Sequence, residues 1–106
     1  MTAAGDLKYR LVLEAPVESA DGAGGVTRSY SPVATLWASL IPVADRAEVA
    51  AAGLGAIVTH RIVIRVGPEV TTRHRFRLGT RIFRILAVRE QDDGNFLAIH
   101  AEERTE

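Results

Sequence analysis

The sequence contains no cysteine, and this absence excludes two common ways of stabilising a small fold. Neither a disulfide framework nor a zinc site with thiolate ligands can form, so packing must hold the fold together, and a reducing compartment is favoured. No apolar run approaches the roughly eighteen residues of a membrane-spanning helix. Residues 1–6 lack the basic and apolar regions of a secretory signal. We therefore expect neither export nor a membrane partner.

Recognisable catalytic and ligand-binding motifs are also missing. His60, His74 and His100 do not have the spacing of zinc ligands. No serine lies in a G-x-S-x-G turn, and no pair of carboxylates is placed for acid-base catalysis. The glycine-rich segment 22–25 precedes a β-prone stretch, whereas a phosphate-binding loop requires a helix N-terminus there. The sequence predicts no catalytic residue, no metal site and no cofactor.

The composition is that of one soluble domain with an uneven charge distribution. The chain has 106 residues, 47% of them apolar, with thirteen basic and thirteen acidic side chains; this neutral balance argues against a general nucleic-acid-coating protein. Between Ile57 and Arg89, eight arginines accompany one acid, Glu69, whereas acids dominate from Glu90 onward. Separated charges on a neutral chain favour face-to-face assembly with copies of itself.

Alternation of apolar and polar residues predicts an all-β fold. Tyr9, Leu11 and Leu13 alternate with polar side chains, which predicts a first strand over 8–14. Gly-rich turn residues then lead to a β-prone segment at 26–30, which Pro32 separates from the next strand. Further strands are predicted at 33–41, 58–66, 75–78, 82–88 and 96–101, with turns at Gly79-Thr80 and at Asp92-Asp93-Gly94-Asn95.

The strand at 33–41 differs from the others because both of its faces are apolar. Such a strand belongs between two layers or against another subunit. We therefore expect Trp37 to be buried, either in the core or in a subunit contact.

One segment interrupts the strands. Residues 45–52 are helix-prone, with Asp45 as a capping residue, Glu48 three positions later and Gly53 as a stop. A helix of about two turns is too short to be stable alone. We expect 44–56 to be a mobile excursion from a single domain, 1–106, whose last residues, 103–106, form a loose tail. The predicted architecture is a small antiparallel β-barrel or sandwich of six to seven strands with one short helix in a long loop.

Arginines alternate along two of the predicted strands. Arg61 and Arg65, and likewise Arg75 and Arg77, would line one face of the sheet. That face has three possible roles: a solvated outer surface, a partner for the acidic tail of a neighbouring subunit, or a transient contact with passing DNA. The three alternatives differ in their dependence on salt.

Taken in their order along the chain, several segments resemble the phage head-tail joining family, also described as head-closure or stopper proteins of long-tailed phages and gene transfer agents. They are RLVLE at 10–14, Asp21-x-x-Gly24-Gly25-Val26, the tryptophan strand at 34–42, THRIVIR at 59–65, GTRIFRI at 79–85, and a last strand ending at 101–103. Arg81 matches the basic residue that is usual in the Gly-x-Arg-x-Phe segment of the family. The resemblance covers nearly the whole chain and carries no catalytic residue.

The resemblance implies a structural virion protein. Such proteins form a ring, commonly a hexamer, between the portal or adaptor ring on the head side and the tail-terminator or tail-tube proteins on the tail side. The ring closes the DNA-filled head, docks the tail, and contacts packaged double-stranded DNA transiently, in a particle assembled in the bacterial cytoplasm.

The resemblance also suggests which residues make contacts. In similar proteins the excursion reaches the channel or a neighbouring ring, which here designates Asp45, Arg46, Glu48, Val49, Gly53, Leu54 and Gly55. Subunit or DNA contacts are expected at Arg61, Arg65, Arg75, Arg77 and Arg81. The alternative functions are another connector or tail-terminator ring protein, and an OB-like nucleic-acid-binding barrel.

Overall fold

The computed structural model describes residues 4–43 and 57–105, and they form a closed antiparallel barrel. A 3₁₀ helix at Ala4–Asp6 precedes six strands, paired in the closed order β1-β2-β3-β6-β5-β4. The strands are β1 (Tyr9–Ala20), β2 (Val26–Pro42), β3 (His60–Arg65), β4 (Arg75–Leu78), β5 (Arg81–Gln91) and β6 (Phe96–Thr105). The all-β prediction and the predicted antiparallel barrel are confirmed.

The core lies inside the barrel and is built from alternate residues of the strands. Phe76 and Phe83 are Cα partners across β4 and β5, and both are fully buried. They pack in one cluster with Leu11, Leu13, Ile62, Ile64, Ile85 and Ile99. A second cluster lies on the outer wall, where Leu7 covers Val63 and Phe96. The period of two detected in the sequence therefore identifies the inward-facing residues.

The region around Pro32 corrects the sequence prediction of two strands. The structure has one strand of 17 residues there, β2. Leu13 pairs with Ala34 while Glu14 pairs with Pro32, so Val33 is an extra residue in a β-bulge. Proline is tolerated at a bulge because the ladder is already interrupted there.

Beyond the bulge, the hairpin of β1 and β2 projects from the barrel as an arm. Every residue from Val17 to Ser29 is exposed, and the molecule extends 50 Å along one axis but only 28 and 25 Å along the others. At the tip, Asp21 Oδ1 accepts hydrogen bonds from the N–H groups of Ala23 and Gly25. A two-stranded ribbon has little stability of its own, so the bulged junction with the barrel holds the arm.

Both predicted tight turns are present. Gly79 has φ +63° between β4 and β5, and Asp92, Asp93 and Gly94 have φ +53°, +57° and +82° between β5 and β6. Asp and Gly tolerate this left-handed backbone far better than other residues do, which explains why these two positions could be recognised from the sequence.

The antiparallel order places the connections at two ends of the barrel. The arm, the β3–β4 connection and the β5–β6 turn lie at one end, which we call the arm end. The β2–β3 connection, the β4–β5 turn, the start of β1 and the end of β6 lie at the other.

Two expectations about mobile segments have different outcomes. The predicted excursion at 44–56 lies outside the described residues. The loose tail predicted from residue 103 is wrong for 103–105, because β6 continues to Thr105 and its residues pair with the first residues of β5.

Candidate assembly surfaces

Two of the predicted contact arginines bind a glutamate of the same chain. Arg75 and Arg77 each donate from Nε to the Glu14 carboxylate, at 2.7 and 3.1 Å. The Glu14 side chain is only 7% exposed, and Arg75 also stacks on Tyr30, with 3.8 Å from its guanidinium carbon to the ring centre. Neither arginine is a free cation on a solvated face.

Arg81 is likewise paired within the chain. Its Nε and one terminal nitrogen donate to the two oxygens of Glu103, at 2.7 and 3.0 Å. This bidentate hydrogen bond to Arg81 is the main reason that the pKa of Glu103 lies below its ordinary value. The acidic tail and the arginine-rich region therefore do interact here, but inside one subunit.

His60 lies beside this pair. Its ring meets Phe83 edge to face at 5.3 Å, and its Nε2 lies 3.8 Å from Glu103 Oε1. Burial lowers the pKa of His60, the Glu103 charge raises it, and the Arg81 charge lowers it further. The balance favours the neutral imidazole.

The two arginines of β3 have different surroundings. Arg61 is half-buried, and its Nε has no hydrogen-bond partner among the described residues; it lines a recess of about 490 Å³ with Asp6, Ser39 and Asp92. Arg65 is exposed and lies over the Phe96 ring at 5.8 Å. The five predicted arginines are thus distributed over several walls of the barrel and do not form one face.

Trp37 is not in the core, which corrects one of its two predicted placements. It is 54% exposed because it has the outward parity of β2, between the inward-facing Leu36 and Ala38. The Arg10 guanidinium lies 5.2 Å from its ring. Trp37, Val66 and Pro68 line a shallow depression of about 530 Å³; we call these three residues the Trp37 surface. The alternative of a subunit contact stays a prediction.

A second surface was not recognised in the sequence. On the outside of the barrel, at the base of the arm, a groove of about 710 Å³ contains no carboxylate among its lining residues. We call it the basic groove; its lining consists of Pro16, Arg28, Tyr30, Thr72, Arg73, His74, Arg75, Ile82, Arg84 and Arg104. In the sequence, only the many arginines around β4 indicated this groove. Arg28 and Arg104 are distant from β4 in the sequence, and strand pairing brings them to the groove.

These two surfaces occupy opposite walls. The basic groove lies over β4, β5 and the end of β6, beside the base of the arm, whereas the Trp37 surface belongs to the barrel part of β2 and to the residues that follow β3. In the closed order, β3 and β4 are three strands apart in either direction, as are β2 and β5. One wall therefore offers guanidinium groups and the other offers exposed apolar side chains.

Neither a cluster of metal-ligating side chains nor a long apolar helix is found in the described part of the chain. Among residues 4–43 and 57–105, no group of three or more histidine or acidic side chains is placed to hold a metal ion. No helix in that part of the chain is long and apolar enough to span a bilayer. The predicted loop contacts, from Asp45 to Gly55, fall on the residues that the structure does not describe.

Comparison with known proteins agrees with this structure. A family model described as phage head completion protein matches residues 2–104. A chain in the virion of a native gene transfer agent particle is 35% identical, with a TM-score of 0.67 over 94% of this chain and 97% of that one. The solution structure of a protein from Shigella flexneri 2a is 25% identical, with a TM-score of 0.74 over 96% of both chains. No curated protein sequence matches.

Proposed function

This chain belongs to the phage head completion protein family, and from that premise we propose that six copies form a ring at the head-tail junction. The ring closes the DNA-filled head and docks the tail. No side chain has a catalytic role in this proposal.

The observation that carries the proposal is the position of two unlike surfaces on opposite walls of the barrel. If the basic groove of one copy contacts the Trp37 surface of the next, the two partners use different surfaces. Lateral contacts of this kind, which join two different surfaces of neighbouring copies, generate a ring when the rotation between copies closes. A two-fold dimer instead uses the same surface twice. An exposed tryptophan is also typical of the energetic centre of an interface.

The two ends of the barrel supply the contacts along the particle axis. The portal or adaptor ring and the tail-terminator or tail-tube proteins are the partners that we propose, one on each side of the ring. The arm end and the end that carries the β2–β3 connection differ in structure, so each is suited to a different neighbour. Contact with double-stranded DNA is transient in this proposal, and the subunit enters the particle in the bacterial cytoplasm.

We also propose that segment 44–56 contacts the channel or a neighbouring ring. The chain leaves β2 at Val43 and returns at Ile57, and the Val43 N–H donates to the Thr59 carbonyl at 2.9 Å. The two ends of the segment are therefore held together by the barrel itself. Contacts made by this segment need not disturb the core, because the barrel holds the residues on either side of it.

Particles assembled without this chain test the proposal. We expect heads that package DNA and then lose it, together with unattached tails, and we expect the wild-type chain supplied in trans to restore tailed particles. Intact tailed particles in its absence, verified by immunoblotting, would contradict a head-closing role.

A further inference from the structure

We propose that the basic groove of one copy receives the β5–β6 turn of the next copy, and that ion pairs from Arg73 and Arg84 to Glu90 and Asp93 set the angle between subunits. This inference rests on the proposed ring and assigns its lateral contact.

The groove has two guanidinium groups without counterions. Three of its arginines have carboxylate partners, since Arg28 pairs with Glu18, Arg75 with Glu14 and Arg104 with Glu102. The side chains of Arg73 and Arg84 are exposed and have no ion pair with any residue of 4–43 or 57–105. Two carboxylates from outside the chain would balance them.

The β5–β6 turn presents two carboxylates of this kind. Glu90 and Asp93 are exposed and form no ion pair within the described part of the chain. The turn is ordered before any partner arrives, because the N–H groups of Gly94 and Asn95 donate to the carbonyls of Gln91 and Asp92, at 3.2 and 3.1 Å. A preordered turn loses little conformational entropy on binding.

The barrel presents the groove and the turn in positions that suit a ring. The groove extends from the arm end, where the base of the arm and residues 72–74 wall it, toward the start of β5 and the end of β6, and the turn joins β5 to β6 at the arm end. They face different directions, because the Val66 N–H donates to the Asn95 carbonyl and so holds the turn beside the end of β3, three strands away from β4. Copies placed side by side in the same orientation therefore bring the turn of one toward the groove of the next.

The same geometry couples the charged contact to an apolar one. Val66, which holds the turn, is also part of the Trp37 surface, while Pro16, Tyr30 and Ile82 give the groove apolar walls. An apolar centre bordered by polar and charged contacts is the usual composition of a specific protein interface. The ion pairs then determine which surfaces of two neighbouring copies meet and the angle between the copies.

A protein segment fits this groove better than DNA does. Tight binding of duplex DNA relies on many phosphate contacts, about six to ten in well-studied complexes, and only Arg73 and Arg84 have guanidinium groups without a carboxylate partner here. Of the two aromatic side chains in the groove, Tyr30 already stacks with Arg75, and His74 Nδ1 accepts a hydrogen bond from the Thr71 N–H. Binding of DNA is nevertheless a distinct result of the test below, and it would overturn the proposal.

Cysteine cross-linking in assembled particles tests the contact directly, since the natural chain has no thiol. We expect particles carrying both R84C and E90C to give, on oxidation, a ladder of covalent oligomers up to the full ring, and particles carrying either change alone to give none. On one chain these residues lie six positions apart on β5, or about 20 Å, beyond the roughly 7 Å that a disulfide spans between Cα atoms. The matched control is R84C with T80C, because Thr80 is exposed and lies in the β4–β5 turn, at the opposite end of β5 from the β5–β6 turn.

Charge reversal gives an independent measurement on the same particles. We expect R84E and E90R each to lower the yield of tailed particles at least about tenfold and the combined variant to restore it, because like charges in contact are strongly unfavourable. R89E, on an exposed arginine of the same strand outside the groove, should keep the wild-type yield. Thermal unfolding of each purified variant separates lost assembly from lost folding.

The outcomes separate this inference from the proposed function. A ring seen in the particles with neither the ladder nor the charge rescue would overturn the groove contact and leave the ring in place. Absence of any ring would overturn both. If R73E and R84E leave the ring and the yield of tailed particles intact but abolish salt-dependent binding of a duplex oligonucleotide, the groove binds phosphate and our assignment is wrong.

Discussion

Glu14 of β1 receives hydrogen bonds from both Arg75 and Arg77 of β4, at 2.7 and 3.1 Å from their Nε atoms. This contact lies on the seam that closes the barrel, where β1 and β4 share only three Cα pairs. By comparison, all twelve residues of β1 pair with β2. The weakest ladder of the barrel is therefore reinforced by a nearly buried carboxylate with two cationic donors.

Replacing Glu14 by glutamine should destabilise the barrel by about 2–4 kcal/mol, because two partly buried guanidinium groups lose their counterion. Chemical denaturation monitored by circular dichroism measures this change. The matched control is Glu18→Gln, whose partner Arg28 is 60% exposed, so that losing this solvent-screened pair should leave the free energy of unfolding nearly unchanged. Equal effects of the two replacements would show that the seam does not depend on this carboxylate.

The pKa of His60 lies below its ordinary value of 6.5, chiefly because of burial, so stability should depend on pH near neutrality. Between the folded-state pKa and about 6.5, the unfolded chain binds more protons than the folded one. Stability is therefore lost as the pH falls through that window and is complete above it. The facing charges are Arg81, which opposes protonation, and Glu103, which favours it.

We expect the free energy of unfolding to fall less between pH 7 and pH 5.5 in His60→Gln than in the wild type, as measured by denaturation at a series of pH values. His100→Gln, on the neighbouring strand β6, controls for the loss of a histidine. Parallel curves for the wild type and His60→Gln would contradict the assignment. Glu103 adds a separate loss of stability at lower pH. That loss begins as the pH falls below the ordinary pKa of a glutamate, 4.5, because the pKa of Glu103 is lowered in the folded chain.

Trp37→Ala should leave the barrel nearly as stable as the wild type, with a cost of about 1 kcal/mol or less, since the ring is more than half exposed. Phe83→Ala, at a fully buried ring, should cost about 3–5 kcal/mol. The emission maximum of Trp37 should be that of a solvent-exposed indole in the free subunit. In particles this maximum should shift to shorter wavelength. A loss of several kcal/mol on Trp37→Ala would place the ring in the core after all.

Replacing 44–56 by a short Gly-Ser linker should preserve folding, because Val43 and Thr59 already hold the two ends together and shortening a loop changes closure entropy little. Assembly of DNA-retaining particles should fail. Thermal unfolding and particle counts on the same variant separate the two effects. Normal particles from the shortened chain would show that 44–56 has no assembly role.

The parts of the fold that could be predicted are those encoded by local pattern. Alternation identified the inward residues Leu11, Leu13, Ile62 and Ile64, and the left-handed backbone at Asp92 and Asp93 gave a recognisable turn. Pro32 was misread as a break, because a bulge that tolerates proline is a property of the pairing with Glu14 and not of one strand's sequence.

The candidate surfaces were harder to predict than the fold. Two apolar faces suggested burial of Trp37, yet alternation alone does not say whether the outer face meets solvent or a partner. The carboxylate partners of Arg75, Arg77 and Arg81 lie at sequence separations of 61, 63 and 22, and no local pattern reveals such pairs. The basic groove combines segments from the arm, the β3–β4 connection and three strands, so it exists only in the folded chain.

Electron cryomicroscopy of intact particles shows directly whether this chain forms a ring at the head-tail junction. We expect one closed ring of six barrels between the portal or adaptor ring and the tail, with the basic groove of each copy against the Trp37 surface of the next. Density for this barrel elsewhere in the particle, or as isolated copies without lateral contact at the junction, would contradict this expectation.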